Sequence, residues 1–183
     1  MTDISRPTAE WSPPSLAALT RPLFAGAVFA SAGLVFLVEP MMAKLILPSL
    51  GGSAAVWNTC LCFFQAMLLI GYGYAHLLQR VSSVRTQAIV HGGVMIAAAL
   101  VLPLHVSDML GAPNANAPVT WLLSVLTLSI GLPFAALSAT APLVQSWYAR
   151  VRAGKPDGAD PYVLYAASNL GSLLALLAYP ILG

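Results

Sequence analysis

Charged side chains are scarce in this sequence. Only 8% of its 183 residues are Asp, Glu, Lys or Arg, whereas about a quarter of an ordinary soluble domain is charged. The eight basic and six acidic residues give a net charge of +2 and are scattered along the chain. This excludes a nucleic-acid-binding protein, which needs a clustered basic face. It also excludes a soluble helical protein, whose helices would carry a charged outer face.

Cysteine and histidine are equally sparse. The two cysteines, Cys60 and Cys62, lie two positions apart in an apolar run, without a second pair to complete a zinc site. Helical geometry does not bridge them, so both are interpreted as buried thiols. The three histidines, His76, His91 and His105, are predicted to lie at different depths. We therefore expect no metal site in this chain.

Long apolar runs are what the chain has instead, since 58% of its residues are hydrophobic. Crossing about 30 Å of hydrocarbon takes about 20 helical residues, and about five runs reach that length. The predicted spans are residues 22–47, 54–78, 86–104, 119–148 and 162–182. The sequence therefore predicts an all-α, polytopic membrane helix bundle over residues 22–183. Residues 1–21 are polar and are interpreted as a cytoplasmic N-terminal tail.

The basic residues fall on alternate loops between these spans. They are Arg6 and Arg21, then Arg80 and Arg85, then Arg150, Arg152 and Lys155, with Lys44 as the exception. Because Lys and Arg are enriched in cytoplasmic loops, this pattern predicts a cytoplasmic N-terminus. The last apolar run reaches almost to Gly183, which we interpret as the end of a fragment or of a subunit completed by another chain.

Polar residues recur at helical spacing inside the spans. The second span carries Asn58, Cys62, Gln65, Leu69, Tyr72 and His76 near one line; the fifth carries Tyr165, Asn169, Ser172, Leu176 and Tyr179; the fourth carries Thr120, Ser124, Thr127, Gly131 and Ser138; and the third carries Gln87, His91 and His105. Such faces avoid lipid, so they are expected to meet each other or a wet cavity. Two interpretations stay open: ordinary helix packing, or the lining of a path for a polar solute.

Glu39 is an acidic residue within an apolar span, in the stretch FLVEPMMAK. It lies about 25 Å along its helix from Pro22, deep enough to be costly unless neutral or paired. Pro40 cannot donate to the Phe36 carbonyl, so a kink or break is predicted beside the carboxylate. Lys44 lies nearer the surface, where it can snorkel. Glu39 is therefore either a functional group or a brace for a broken helix.

Three segments are distinctive beyond their apolar character: FLVEPMMAKLILPSLGGSAAVWNTCLCFFQAMLLIGYGYAHLL (36–78), SATAPLVQSWYAR (138–150) and DPYVLYAASNLGSLLALLAYP (160–180). They resemble a bacterial family of fused major-facilitator-like and spermidine-synthase-like membrane proteins, over most of residues 24–182. The resemblance implies a multi-pass inner-membrane region with a partial major-facilitator-like fold. In full-length members a cytoplasmic aminopropyltransferase-like domain follows. This chain lacks that domain's glycine-rich turn, so we expect no catalytic residue and no cofactor here.

Two hypotheses for function follow. In the first, the chain transports or binds a small polar solute, of cationic, polyamine-like character. The predicted contacts are Glu39, Asn58, Gln65, Tyr72, Tyr165 and Asn169, with Pro40, Lys44 and Pro133 in structural roles. In the second, it is a membrane anchor or assembly subunit for a cytoplasmic aminopropyltransferase-like enzyme. Both involve the lipid bilayer and a partner, either a second copy or another membrane or cytoplasmic subunit.

Overall fold

A computed structural model describes residues 16–102, 111–113, 116–154 and 161–182, and the predicted all-α fold is confirmed over these ranges. The helices are α1 (Leu16–Leu50), α2 (Ala54–Leu78), α3 (Val84–Val101), α4 (Pro118–Leu126), α5 (Leu132–Val151) and α6 (Pro161–Leu182). One π-helical segment, Thr127–Gly131, joins α4 to α5 into a single rod. The tail residues 1–15 and the loop residues Asp108 and Lys155 lie outside the described residues.

Local sequence signals explain most helix ends. The Ser53 and Ser83 hydroxyls accept hydrogen bonds from the backbone N–H groups of Val56 and Thr86, which caps α2 and α3. Gly51 adopts a positive φ of 79°, which favours glycine in the turn before α2. Pro118 begins α4, where its missing N–H has no helical partner to lose. Pro22 does not begin a helix, because α1 starts at Leu16 and incorporates this proline near its N-terminus.

Among the described residues, four helical rods are long and apolar enough to cross a membrane: Leu19–Ile46, Ala54–Leu78, Pro118–Val151 and Tyr162–Ile181. The third predicted span is shorter than expected, with an apolar helix at Val84–Leu100. At 18 residues, α3 is about 27 Å long, close to the thickness of a bilayer's hydrocarbon core. Many large side chains point away from the bundle, with Leu100 and Ile181 exposed by 81% and 86%. The chain is a multi-pass membrane protein.

Residue pairings show that the rods alternate in direction. Along α1 and α6, Val28 packs near Leu164, Gly33 meets Gly171, and Tyr179 reaches Pro40, so these two helices run parallel. The α4–α5 rod runs parallel to α2 and antiparallel to α1 and α3. α3 therefore runs opposite to α2 and to the α4–α5 rod, as the five predicted spans require.

The α5 helix is the centre of the bundle, because α1, α2 and α3 all pack against it. An aromatic cluster joins α2 to α5, with the Phe64 and Phe134 ring centroids 4.8 Å apart. Two glycines allow close backbone approach: Gly71 places α2 against α5, and Gly171 places α6 against α1. These contacts set the positions of the four helices that surround the candidate site.

Candidate functional site

A cavity of about 300 Å³ lies between α1, α2, α5 and α6. Three of the predicted site residues, Glu39, Gln65 and Tyr72, line it together. Its other polar lining residues are Ser31, Ser138, Ser168 and Ser172, and its apolar lining includes Ala32, Val35, Phe36, Leu68, Leu137 and Ala141. The cavity is open to the surroundings, because the Gln65 and Tyr72 side chains remain exposed. The structure thus supplies a partly enclosed site with a polar lining at the depth of Glu39.

Glu39 is the acidic residue of the cavity, and its side chain is half-buried. It follows Ser31 and Val35 at four-residue spacing along α1, so all three share one helix face. Of the predicted kink or break at Pro40, the break is wrong, because α1 continues as α-helix to Leu50, and the kink stays a prediction. The proline instead removes a single hydrogen bond, the one that Phe36 carbonyl would accept. Packing of α1 against α5 and α6 holds the helix together across this defect.

The serines of the cavity present oxygen acceptors. Ser31 donates its hydroxyl proton to the Val28 carbonyl at 3.2 Å, and Ser138 donates to the Ala135 carbonyl at 2.9 Å. Ser172 likewise donates to the Ser168 carbonyl at 3.1 Å. A hydroxyl that has given its one proton to the backbone keeps only lone pairs for other partners. Together with the Glu39 carboxylate, these oxygens favour a ligand that carries N–H or O–H donors.

The remaining predicted contacts lie outside the cavity. Asn58 on α2 and Tyr165 and Asn169 on α6 are exposed on the outer surface of the bundle. On α6 the cavity is lined by Ser168 and Ser172, whereas Asn169 is turned by about 100° from Ser168. The expected convergence of the two polar stripes is therefore only partial.

The residues assigned structural roles have separate places. Pro133 is buried near the start of α5 and lines a second, apolar cavity of about 230 Å³ that also includes Met95 and Phe134. It follows the π-helical turn, which is the local break that its missing N–H favours. Lys44 is exposed and does not line the Glu39 cavity. Pro40 accepts a hydrogen bond at its carbonyl from the Tyr179 hydroxyl, at 3.3 Å, which ties α6 to α1 beside Glu39.

Sequence reasoning missed two of the serines. Ser138 and Ser172 stand on the polar stripes of their spans, but Ser31 and Ser168 were not identified. The four-residue spacing of Ser31 to Glu39 through Val35, and of Ser168 to Ser172, is the signal that identifies them. On α1, the face that carries Ser31 becomes apparent only when helical positions are counted back from Glu39.

A second polar group, the His91 cluster, lies on the far side of α5 and consists of Tyr74, Gln87, His91, Thr140 and Trp147. Gln87 and His91 are buried, which agrees with their place on the predicted stripe of the third span. The third residue of that stripe, His105, lies outside the described residues. Among the described residues, no group of three His, Cys, Asp or Glu side chains is arranged to hold a metal ion.

The two cysteines differ in environment. Cys60 is buried in the core between α1, α2 and α4, as predicted. The prediction for Cys62 is wrong, because its side chain is exposed on the outer face of α2. Two residues of separation turn a side chain by about 200° around a helix, so one thiol faces the core and the other faces away from it.

No protein family, curated protein or solved structure matches this chain.

Proposed function

We propose that this chain is the membrane region of a bacterial fused major-facilitator-like and spermidine-synthase-like protein, and that it transports a small organic cation of the polyamine class. The observation that carries the proposal is that Glu39 and four serines line one cavity. A carboxylate supplies charge for an ammonium group, and the serine oxygens supply acceptors for its N–H donors. No basic residue is among the described side chains that line this cavity.

The size and aromatic content of the cavity support the same ligand class. At about 300 Å³, the cavity is at the small end of the range for sites that bind small molecules. The Tyr72 ring on its wall offers a face for cation–π attraction to an ammonium group. The apolar lining residues, such as Val35 and Leu68, suit the methylene segments between the amines.

The ends of the bundle support a cytoplasmic N-terminus in the bacterial inner membrane. Arg150 donates to the Gln79 carbonyl at 3.0 Å, so the end of α5 meets the end of α2. The Phe24 and Tyr148 ring centroids, 5.5 Å apart, place the start of α1 at this same end. The basic residues Arg21, Arg80, Arg85, Arg150 and Arg152 therefore gather at one end of the bundle. Because Lys and Arg are enriched on cytoplasmic sides, this distribution supports the proposal that this end faces the cytoplasm.

Glu39→Gln is expected to weaken binding of spermidine by about 10- to 100-fold, the loss of one charge-assisted contact. The amide keeps the size and shape of the side chain, so the change removes charge with little effect on packing. Binding is measured by titration calorimetry of the purified protein in detergent, and uptake of labelled spermidine is measured in proteoliposomes. Glu10→Gln, at the only other glutamate of the sequence, is the matched control. Unchanged binding in Glu39→Gln would contradict the proposal.

Two amide side chains on the same stripe of α2 differ in position, because Gln65 lines the cavity and Asn58 does not. Gln65→Leu is expected to weaken spermidine binding by about 3- to 10-fold, because it removes one neutral hydrogen-bonding group from the cavity wall. Asn58→Leu makes a comparable change outside the cavity and is expected to leave binding unaltered. Equal losses in both variants, measured by the same calorimetric titration, would show that the ligand binds along the whole stripe instead.

A second function, as an anchor or assembly subunit, is favoured by the polar side chains outside the cavity. Asn58, Tyr165 and Asn169 are exposed on a membrane bundle, where an unpaired amide is costly. A second copy of the chain or another subunit would cover them. Under this function, Asn169→Leu releases a cytoplasmic aminopropyltransferase-like enzyme or dissociates an oligomer, as measured by co-purification and native mass. This second function also predicts that the parent protein shows no spermidine uptake in proteoliposomes.

A further inference from the structure

The His91 cluster occupies a buried position where α2, α3 and α5 meet, and it takes no part in the cavity of Glu39. Trp147 on α5 donates its indole N–H to the Gln87 side-chain oxygen at 2.7 Å. The Gln87 amide nitrogen donates in turn to the Val81 carbonyl. These bonds fix Gln87 one helical turn before His91, so that His91 faces the same neighbours on α5.

The Thr140 hydroxyl bears on the tautomer of His91. Its oxygen lies 3.1 Å from Nε2 of His91. The Thr140 hydroxyl has one proton, and two acceptors besides His91 are within reach, the Ala136 carbonyl at 3.3 Å and the Met95 sulfur at 3.9 Å. When the proton goes to the Ala136 carbonyl, Thr140 accepts from His91 and the imidazole proton is on Nε2, which is the tautomer that the proposal below requires. In the neutral ring, Nδ1 is then an acceptor that needs a donor.

Two buried polar atoms of the cluster have no hydrogen-bond partner within the part of the chain that the structure describes. They are Nδ1 of His91 and the hydroxyl of Tyr74, and the His91 side chain is only 4% exposed. Their rings face each other with centroids 5.9 Å apart and planes inclined by 31°. One atom is an acceptor and the other carries a donor proton, so their needs are complementary. Leaving both unpaired in the interior would be unfavourable, because each would lose its hydrogen bonds to water without a replacement.

We propose that one bound water molecule bridges the Tyr74 hydroxyl and Nδ1 of His91. The water accepts the Tyr74 proton and donates one of its own to Nδ1, which satisfies both atoms. Two hydrogen bonds of about 2.8 Å let one water join polar atoms about 5 Å apart. The rings that carry the two atoms are neighbours, with their centroids 5.9 Å apart. Buried waters typically occupy such polar positions with two to four partners.

This water would link two helices that otherwise make few direct contacts. α3 packs mainly on α5, through His91 with Thr140 and through Gln87 with Trp147. The bridge from Tyr74 adds a direct tie from α3 to α2. It also fixes the face of α2 that lies opposite Tyr72, whose ring lines the Glu39 cavity. The proposal does not depend on which solute, if any, that cavity binds.

Nitrogen-15 NMR of the full chain in lipid bilayers tests the bridge. The protein has three histidines, so labelling histidine with ¹⁵N gives few signals, and His91→Gln assigns those of His91. We expect a protonated Nε2 and an unprotonated, hydrogen-bonded Nδ1 that receives polarisation from water protons. Tyr74→Phe is expected to shift the Nδ1 signal toward the value of a nitrogen without a donor. Tyr72→Phe, the matched change on the cavity side of α2, is expected to leave it in place.

Three results would overturn the proposal. A proton on Nδ1 would contradict the tautomer assignment. A shift in Tyr74→Phe without polarisation transfer from water in the parent would show a direct bond between the two side chains. An Nδ1 signal that is the same in the parent and in Tyr74→Phe would show that the two groups do not interact. If Tyr74→Phe fails to fold, the parent protein still tests the bridge, because a proton on Nδ1 or the absence of polarisation transfer from water to Nδ1 would each overturn it.

Discussion

Gly171→Ala is expected to separate α6 from α1. A Cβ atom at Gly171 would collide with the backbone carbonyl of Phe29, and a backbone group cannot move aside as a flexible side chain can. On α1, a Cβ atom added at Gly33 would lie 3.3 Å from the carbonyl oxygen of Gly171. Close approach of small residues is the usual source of helix association in membranes, where the hydrophobic effect does not drive it. We expect Gly171→Ala to lower the free energy of unfolding by about 3 kcal/mol or more.

The separation is measured as the distance between spin labels on the two helices. Because α1 and α6 run parallel, Leu45 and Ile181 lie near the same end, and both side chains are exposed enough to carry a label. Both are changed to cysteine in a protein whose Cys60 and Cys62 are replaced by alanine. The parent is expected to give one narrow distance distribution, and Gly171→Ala a longer, broader one.

Gly26→Ala is the control for this experiment, since no atom lies within 4 Å of the Cβ position at Gly26. It makes the same chemical change on α1, and we expect the distance distribution of the parent. A narrow, unchanged distribution in Gly171→Ala would contradict the role given to the glycine crossing.

The fold was predictable because its signal is long and redundant. Each apolar run continues for several helical turns, so the sequence identifies α2 and α6 with nearly the correct ends. The start of α1 was harder to predict, because Pro22 resembles a helix start and yet is tolerated in its early turns. The continuity of α1 through Pro40 was equally hidden, since one lost hydrogen bond is outweighed by packing against α5 and α6. Tertiary contacts decide such points, and the sequence pattern does not contain them.

The site was predictable only in part, for a geometric reason. Periodicity determines which residues share a helix face, but it does not determine the neighbour toward which that face turns. Gln65 and Asn58 stand on one stripe of α2, and only Gln65 lies at the depth of the cavity. On α6 the rotation of the helix favours Ser168 over Asn169. Glu39 was identifiable without this knowledge, because an acid inside an apolar span is conspicuous in any orientation.

The sequence pattern also did not predict the partners of the His91 cluster. Gln87 and His91 formed the weakest of the four predicted stripes, yet they are among the most buried polar residues that the structure describes. Their partners, Tyr74 and Trp147, come from distant parts of the chain and share no sequence pattern with them. Antiparallel packing of α3 on α5 brings these residues together.

Gly71→Ala is expected to destabilise the bundle at the wall of the Glu39 cavity. A Cβ atom at Gly71 would collide with the Ala135 carbonyl and with the hydroxyl of Ser138, a lining residue of the cavity. Overpacking of this kind costs about 1–3 kcal/mol and moves the backbone when no side chain can yield. We expect a lower thermal unfolding midpoint and, because Ser138 is displaced, weaker spermidine binding.

Cys60 provides an internal reporter of this unfolding, since its thiol is buried on α2. In a Cys62→Ser background, the temperature at which Cys60 reacts with a thiol dye reports the opening of the α2 core. Gly73→Ala is the control, because no atom lies within 4 Å of that Cβ position. Adding Ser138→Ala to Gly71→Ala is expected to recover little of the midpoint, because the Ala135 carbonyl still obstructs the new methyl group. Full recovery would assign the close contact to the serine side chain and not to the approach of the two backbones.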